Sequence, residues 1–382
     1  MAVFIQDTAR NNLASGTNNA VAGGYAIGAM ISPFASPRLS NGFKRAAADV
    51  ALSIRENGGE LWFDSMTYAL GMPRAGDFRH YDGWPLWPGT RGDLRSAVEQ
   101  REHVQAVYAI QADLGSPALA PTVLVSYPDT PTSQVALQLT SEALTLQPRA
   151  WATIAGDQQF WGAGAELDAH VGALDQLEPG GWLLVVTRAD NSMPTGASSE
   201  EIFGLMRTTF ALSQDRPVRV AYGDLAALPA VAAGAEAVGT GWDMRQRICA
   251  YQDFQVRAAD PGGGGWYQRP TLEGLLGSLT ANEYQVLTSE RAALALRLTP
   301  GTVGPQPEQA FRHHAQVLNS VIHEMAPLGG QSRVEVLQRR LDQAATEWPT
   351  VQRITGARVG YAQWAGQLEA GIQQFSESEG WT

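Results

Sequence analysis

Short apolar segments alternate with longer amphipathic segments from residue 26 to about residue 240. The apolar segments are AIGAMISPF (26–34), ELWFDSM (60–66), TVLVSYPD (122–129), AWATIAGD (150–157), WLLVVTRAD (182–190), VRVAYGDL (218–225) and EAVGTGWD (236–243). Between them apolar residues recur at helical spacing, as in 94–113, 132–146, 164–177 and 198–213. Apolar strands separated by helices are typical of parallel strands that are buried on both faces. Seven such units predict an α/β fold of the (β/α)8 TIM-barrel type rather than an open doubly wound sheet.

The sequence does not determine the position of the eighth strand in this predicted barrel. RICAYQDFQV (247–256) follows the segment 236–243 too closely for a full crossover connection, which needs about a dozen residues. Either that connection is shortened or the eighth strand lies elsewhere. The opening segment AVFIQD (2–7) either plugs the bottom of the barrel or joins its wall.

The glycine run in DPGGGGW (260–266) marks a break in the pattern. We assign residues 1–260 to the barrel and residues 261–382 to a helical extension packed on it. One apolar face of this extension is formed by Val317, Leu318, Val321, Ile322 and Met325. Residues 267–382 are also the predicted interface for a homo-oligomer or a protein partner, and His313, His314 and His323 are expected on their solvated surface.

Composition narrows the classes of partner and cofactor. The net charge of −11 argues against a nucleic-acid ligand, which selects for a basic excess. No apolar run approaches the ~20 residues that span a bilayer, and the N-terminus lacks a signal-peptide pattern, so we expect a cytoplasmic protein without membrane contact. The single cysteine, Cys249, excludes a multi-cysteine zinc site. Because no P-loop, HExxH, GxSxG or dinucleotide-binding motif occurs, we predict neither a cofactor nor a bound metal.

Candidate site residues are those that follow the predicted strands, because the loops at the carboxyl ends of barrel strands build the active site. Asp64 precedes the long loop 67–93 rather than a helix, so helix capping does not explain it. We predict Asp64 and Asp243 as a catalytic carboxylate pair, with Asp224 as an alternative second member. The predicted substrate-binding residues are Ser65, Tyr127, Asp157, Arg188, Tyr222, Asp224, Gly239, Thr240, Gly241 and Arg245.

Two arginines, two glycines and one long loop near the predicted strand ends have specific chemical or structural roles. Arg188 and Arg245 are predicted to hold an anionic group through paired hydrogen bonds. The glycines of GTG (239–241) would let the backbone approach a ligand closely. The loop 67–93, rich in Gly, Pro and aromatic residues, is either a lid over the site or a cover for an exposed apolar edge.

Two segments resemble parts of the tRNA-guanine transglycosylase barrel. ELWFDSMTYAL (60–70) resembles the strand end whose aspartate recognises the base in that family, and GAEAVGTGWDMR (234–245) is similar to the late strand that carries its nucleophilic aspartate. The glycine pair after the first aspartate is missing here, Gly239 stands where the nucleophile would align, and the family's zinc site has no counterpart. The resemblance implies a ligand that contains a base or a ribose.

These features predict a barrel enzyme that acts on a small polar substrate, a nucleoside or sugar derivative, by glycosyl transfer or hydrolysis. One alternative is a barrel without catalysis that serves as a binding or assembly subunit through its helical extension. Another is a Mg²⁺-assisted hydrolase that uses Asp64, Asp224, Asp243 and His80.

Overall fold

The computed structural model describes residues 1–7, 11–34, 46–78, 80–189, 196–242, 244–256, 269–301, 303–304 and 306–381. The strands are β1 (Ala2–Asp7), β2 (Gly28–Ile31), β3 (Glu60–Phe63), β4 (Trp151–Gly156), β5 (Gly181–Arg188), β6 (Val218–Ala221), β7 (Ala237–Gly241), β8 (Cys249–Ala250), β9 (Thr271–Leu272) and β10 (Gly277–Ser278). The helices of the first part are α1 (Asn11–Ala22), α2 (Ala47–Glu56), α3 (Ala97–Leu114), α4 (Pro131–Leu146), α5 (Gln158–Trp161), α6 (Ala165–Asp175), α7 (Ser199–Leu212), α8 (Leu228–Ala233) and α9 (Met244–Arg247). Those of the extension are α10 (Ala281–Glu290), α11 (Ala292–Leu298), α12 (Pro307–Met325), α13 (Gly330–Thr355) and α14 (Ala365–Ser378).

Seven parallel strands form a curled sheet in the order β3-β2-β1-β7-β6-β5-β4. The N-terminal strand β1 lies inside this order, because Phe4 pairs with Gly28 of β2 and Ala2 pairs with Ala237 of β7. The opening segment therefore joins the barrel wall and is its first strand. The predicted fold class is confirmed as an α/β barrel of the TIM type with C-terminal helices.

The remaining wall position, between β3 and β4, is filled by residues 118–125 without a regular strand. The amides of Ala120 and Val125 donate to Trp151 and Ala155 of β4, at 2.8 and 3.0 Å. Only two isolated parallel bridges form, Leu119 with Trp151 and Val125 with Gly156. The strand predicted at 122–129 is therefore not formed as a regular strand, and the wall segment begins earlier, at residue 118. Pro117 and Pro121 carry no amide hydrogen, so a continuous ladder cannot form there.

Gln111 of α3 connects this irregular segment to β3. Its Nε2 donates to the carbonyl oxygens of Phe63 (3.0 Å) and Leu119 (2.9 Å), and its Oε1 accepts from the Leu119 amide (3.0 Å). One buried side-chain amide thus replaces the backbone pairing that the two wall segments lack.

We expect the change Gln111→Leu to lower the free energy of unfolding by about 3 kcal/mol, because it leaves buried backbone groups without a partner. Urea unfolding measures this loss. Gln105→Leu, at an exposed position of the same helix, is the matched control and should change stability little. Equal effects of the two substitutions would show that Gln111 does not brace the wall.

The segment 247–256, considered above for the eighth strand, contributes only β8. Cys249 and Ala250 pair with Thr187 and Arg188 at the carboxyl end of β5, and β8 lies off the path of the wall. It cannot join the wall after β7, because β1 already occupies that edge.

The amino-terminal end of the barrel is filled by a buried arginine. Arg219 of β6 donates to Glu60 (2.8 Å) and to Glu236 (2.7 Å). Its guanidinium also lies over the rings of Trp62 and Trp151, at 4.6 and 5.1 Å from the ring centroids. This end of the barrel is therefore packed, and the site must be sought at the opposite end.

The extension packs on the outside of the barrel. Helix α14 contacts α7, α13 contacts α8, and α12 contacts β1. Because α12 lies against the wall, His313 and His314 are buried, at 3% and 1% exposure, so the prediction of a solvated surface was wrong for them. The predicted boundary near residue 260 lies outside the described residues. None of the described helices combines the length and apolarity needed to cross a membrane.

Candidate functional site

Side chains that point into the barrel become polar towards the carboxyl ends of the strands. Phe4, Met30 and Trp62 belong to the apolar cluster inside the barrel. Because strand side chains alternate between faces, the next inward position falls on Gln6 of β1, Ser32 after β2 and Asp64 after β3. The same alternation places Asp157 after β4 and Thr187 at the end of β5. We call these five residues the mouth ring.

Asp64 is the buried carboxyl of the mouth ring, with 3% of its surface exposed. Its Oδ1 accepts from the amide of Met66 (2.9 Å), and its Oδ2 accepts from the hydroxyl of Tyr68 (2.6 Å). Burial raises the pKa of this carboxyl from 3.8 to about 6, against the opposing effect of the two hydrogen bonds. Asp64 is therefore a group that exchanges a proton near neutral pH.

Neutral hydrogen-bonding groups surround Asp64. Burial, with the nearby Asp64 carboxylate, holds the pKa of Tyr68 and of Tyr222 well above the usual range. The same two causes raise the pKa of the Cys249 thiol. The hydroxyl of Tyr222 also lies 3.3 Å from the sulfur of Met66. Asp64 is thus the one group among these that changes its charge near neutral pH.

Backbone strain is concentrated at this end of the barrel. Met66, Tyr222 and Asp224 adopt left-handed conformations, with φ of 47°, 52° and 47°. Such conformations cost free energy for residues other than glycine and are maintained by the surrounding structure. The strain fixes the direction of the chain immediately after β3 and after β6.

The loop 67–93 covers the mouth, and residue 79 within it lies outside the described residues. It contains the 3-10 turns Thr67–Gly71 and Tyr81–Gly83. The amides of Gly76 and Asp77 donate to the carbonyl oxygen of Phe254, at 2.9 and 3.0 Å, which ties the loop to the segment 249–256. This geometry fits both predicted roles, because the loop contacts Asp64 through Tyr68 and also buries the apolar side chains of Phe78 and Tyr81.

Gln6 is a mouth residue that the sequence reasoning missed. Its Oε1 accepts from the amide of Tyr222 (3.1 Å), whereas its buried Nε2 has no hydrogen-bond partner among the described atoms. The apolar-polar alternation Phe4–Gln6 would have indicated this position once 2–7 was assigned to the wall. Tyr68 was also missed, because no local pattern distinguishes it from the rest of the loop.

Asp224 and Thr240, both predicted to bind substrate, belong to a separate buried network on the outside of the wall. Oδ2 of Asp224 accepts from the Thr240 hydroxyl (2.6 Å) and from Nε of Arg247 (2.7 Å), and lies 3.1 Å from Nε2 of His314. Although burial opposes it, Arg247 and His314 hold the pKa of Asp224 well below its usual range. Thr271 also lies 2.8 Å from Nδ1 of His314. This network links the barrel to the extension.

Of the other predicted binding residues, Asp157 belongs to the mouth ring, whereas Arg188, Tyr127 and Ser65 do not. Both terminal nitrogens of Arg188 donate hydrogen bonds to the Glu201 carboxylate, at 2.9 and 2.5 Å, so the charge of Arg188 is already compensated. Asp157 accepts from the amides of Gln159 and Phe160, which caps α5, and from the hydroxyl of Tyr251 at 3.2 Å. Tyr127 is 53% exposed, and Ser65 is buried with its hydroxyl 3.0 Å from that of Thr67.

Close packing explains why both Gly239 and Gly241 of GTG are glycines. A Cβ on Gly239 would lie 2.8 Å from the Phe4 ring, and one on Gly241 would lie 2.2 Å from Cβ of Gln246. Asp243 lies outside the described residues, as does the side chain of Arg245. The predicted pairing of Asp64 with Asp243 and the anion contact of Arg245 therefore stay predictions.

The described residues contain no group of three or more His, Cys, Asp or Glu side chains placed to hold a metal ion. The Mg²⁺ alternative required Asp64 and Asp224 in one site, but they belong to different hydrogen-bond networks.

Comparison with known proteins adds little to this geometry. No protein-family model matches the chain, and no curated protein matches it. An exo-beta-1,4-mannosidase, Op5Man5 from Opitutaceae bacterium strain TAV5, is similar with 12% identity and a TM-score of 0.30, over 63% of this chain and 52% of that chain. A probable tagatose 6 phosphate kinase from Sinorhizobium meliloti 1021 shows 12% identity and a TM-score of 0.35, over 99% and 98%. Likenesses this weak carry no argument about activity, and the resemblance to tRNA-guanine transglycosylases finds no support in them.

Proposed function

We propose that this chain is a barrel enzyme in which Asp64 transfers a proton at the mouth of the barrel. The proposed substrate is a small polar molecule, a sugar or nucleoside derivative, and the proposed reaction is glycosyl transfer or hydrolysis. The observation that carries the proposal is the buried Asp64 carboxyl with a pKa of about 6, at the carboxyl end of a barrel strand. A carboxyl with a pKa near the working pH serves as both acid and base.

In the proposed reaction, protonated Asp64 donates its proton to the departing group, to the glycosidic oxygen of a sugar substrate or to a base nitrogen of a nucleoside, as the glycosidic bond breaks. The carboxylate that results then accepts a proton from the attacking water or acceptor hydroxyl. The hydroxyl of Tyr68, which donates to Oδ2 of Asp64, holds the carboxyl in one orientation. The unpartnered Nε2 of Gln6 is available to a polar substrate group at the same mouth.

Because Asp64 already takes the proton from the attacking water, a second carboxylate is needed to compensate the positive charge that develops on the sugar, by electrostatic contact or by a covalent bond to the sugar that water or the acceptor hydroxyl then displaces. Asp243 follows β7, which lies three places from β3 in the order of the sheet. We propose Asp243 for this role.

The test compares wild type with Asp64→Asn and with Asp113→Asn, an exposed carboxylate on α3. A panel of aryl glycosides and nucleosides is assayed for release of the aryl alcohol or the base. We expect Asp64→Asn to lower kcat by about 10²–10⁴-fold and to remove the limb of the pH–rate profile near pH 6, as general acid–base catalysis requires. Asp113→Asn should retain full activity.

Two results would contradict the proposal: unchanged turnover in Asp64→Asn, or no turnover of any glycoside or nucleoside by wild type. The second result would favour the non-catalytic alternative, which is supported by the ion pairs of Arg188 with Glu201 and of Asp224 with Arg247, because neither side chain is then free to hold a substrate. A partner bound through the extension remains part of that alternative. Of the large apolar side chains found exposed in the described structure, only Val286 and Leu296 lie on the described part of the extension.

A further inference from the structure

A cavity of ≈ 390 Å³ lies beside the mouth, between the covering loop and the irregular wall segment 118–125. The side formed by the covering loop (67–93) and the residue after it consists of Thr67, Leu70, Gly71, Ala75, Phe78, Arg91, Gly92 and Leu94. The opposite side is formed by Val123, Leu124 and Thr132. The volume falls within the range of about 300–1,000 Å³ that is usual for small-molecule sites. None of the predicted site residues lines this cavity, so it is separate from the site proposed above.

Arg91 is the charged residue among those that line the cavity in the described structure. Its guanidinium lies 3.9 Å from the centroid of the Phe78 ring, and its Nη1 donates to Asp82 at 2.5 Å. The Asp82 side chain is 54% exposed, so this ion pair is solvated and weak. Ring stacking and the single hydrogen bond orient the guanidinium, while its other N–H groups remain for a ligand.

The walls around Arg91 are mainly apolar, with Leu70, Phe78, Leu94 and Leu124 among them. Such walls favour a carbon skeleton, because contact with them removes apolar surface from water. The hydroxyl of Thr67 is already engaged, at 2.8 Å from Nε2 of His103. A ligand that satisfies this cavity therefore needs an apolar body and a negative charge at one end.

We propose that this cavity binds a small organic anion, with a carboxylate or phosphate group on Arg91 and an apolar body against Leu70, Leu94 and Leu124. The site goes beyond the proposed function and does not depend on Asp64. It gives the covering loop a second role, because the segment that hides Asp64 also forms one wall of the cavity.

The test measures binding of phenylacetate, phenyl phosphate and neutral phenylacetamide by isothermal titration calorimetry. We expect at least one of the two anions to bind about tenfold more tightly than the amide, because a charge-assisted hydrogen bond replaces a neutral one. Comparison of the two anions identifies the preferred charged group. Arg91→Leu should remove the preference and Arg91→Lys should retain most of it.

Arg95→Leu is the matched control, since the Arg95 side chain is 90% exposed and does not line the cavity. Its binding should equal that of wild type. Asp64→Asn should also bind the anions unchanged, which separates this proposal from the catalytic one. Binding of the amide as tight as that of both anions, anion binding unaffected by Arg91→Leu, or no binding of any probe would overturn the proposal.

Discussion

Replacing Asp224 with alanine is expected to lower the free energy of unfolding by about 3–5 kcal/mol, the usual cost of breaking a buried ion pair from one side. The substitution would leave the Arg247 guanidinium buried without its carboxylate. His314 cannot compensate, because an imidazole is either neutral or positively charged and supplies no negative charge to Arg247. Urea unfolding monitored by tryptophan fluorescence measures the loss.

A matched control uses an ion pair of the same chemistry nearer the protein surface, where the Glu142 side chain is 20% exposed and that of Asp224 is 4% exposed. Arg101 donates to Glu142 at 2.8 Å, with the Arg101 side chain 52% exposed. We expect Glu142→Ala to cost under about 1 kcal/mol. The double variant Asp224→Ala/Arg247→Ala should lose less stability than the sum of the two single variants, because the second change removes the orphaned charge. Additive losses would contradict direct coupling between Asp224 and Arg247.

The second large expected effect is a pH-dependent gain of stability in Asp64→Asn. The pKa of Asp64 is about 6 in the folded protein and close to 3.8 when unfolded. A raised folded pKa means that the stability contribution of this group is complete below about pH 3.8 and is lost as the pH rises through 6. The loss amounts to about 3 kcal/mol, and asparagine does not undergo it.

The stability of Asp64→Asn relative to wild type should therefore rise by about 2.4 kcal/mol between pH 4 and pH 8, with about 2 kcal/mol of that change between pH 4 and pH 6. Urea unfolding of both proteins at several pH values tests this, and other titrating groups cancel in the difference. The free energy of unfolding of Asp113→Asn, a substitution on the exposed surface of α3, should depend on pH in the same way as that of wild type. A constant difference between Asp64→Asn and wild type at all pH values would show that the Asp64 carboxyl is not desolvated.

These two predictions concern Asp64 and Asp224, which the sequence alone does not distinguish. Asp64 and Asp224 both follow a strand of the barrel, and both were candidates for the catalytic pair. Asp64 continues the inward alternation of β3 and lies among buried neutral groups, which raise its pKa. Asp224 meets Arg247 and His314, which lower its pKa. The partner residues are distant in sequence, with His314 ninety positions from Asp224, so no local pattern could distinguish the two aspartates.

The alternation of apolar segments and amphipathic helices determined the fold class by itself, because the spacing of apolar residues decides which faces of each helix and strand are buried. It also predicted a helical extension after the last barrel strand. Only the tertiary structure decided that β1 joins β7, that residues 118–125 complete the wall without a strand, and that Asp64 and Asp224 differ in protonation. Periodicity is a local property of the chain, whereas strand pairing, desolvation and ion pairing depend on residues that only folding brings together.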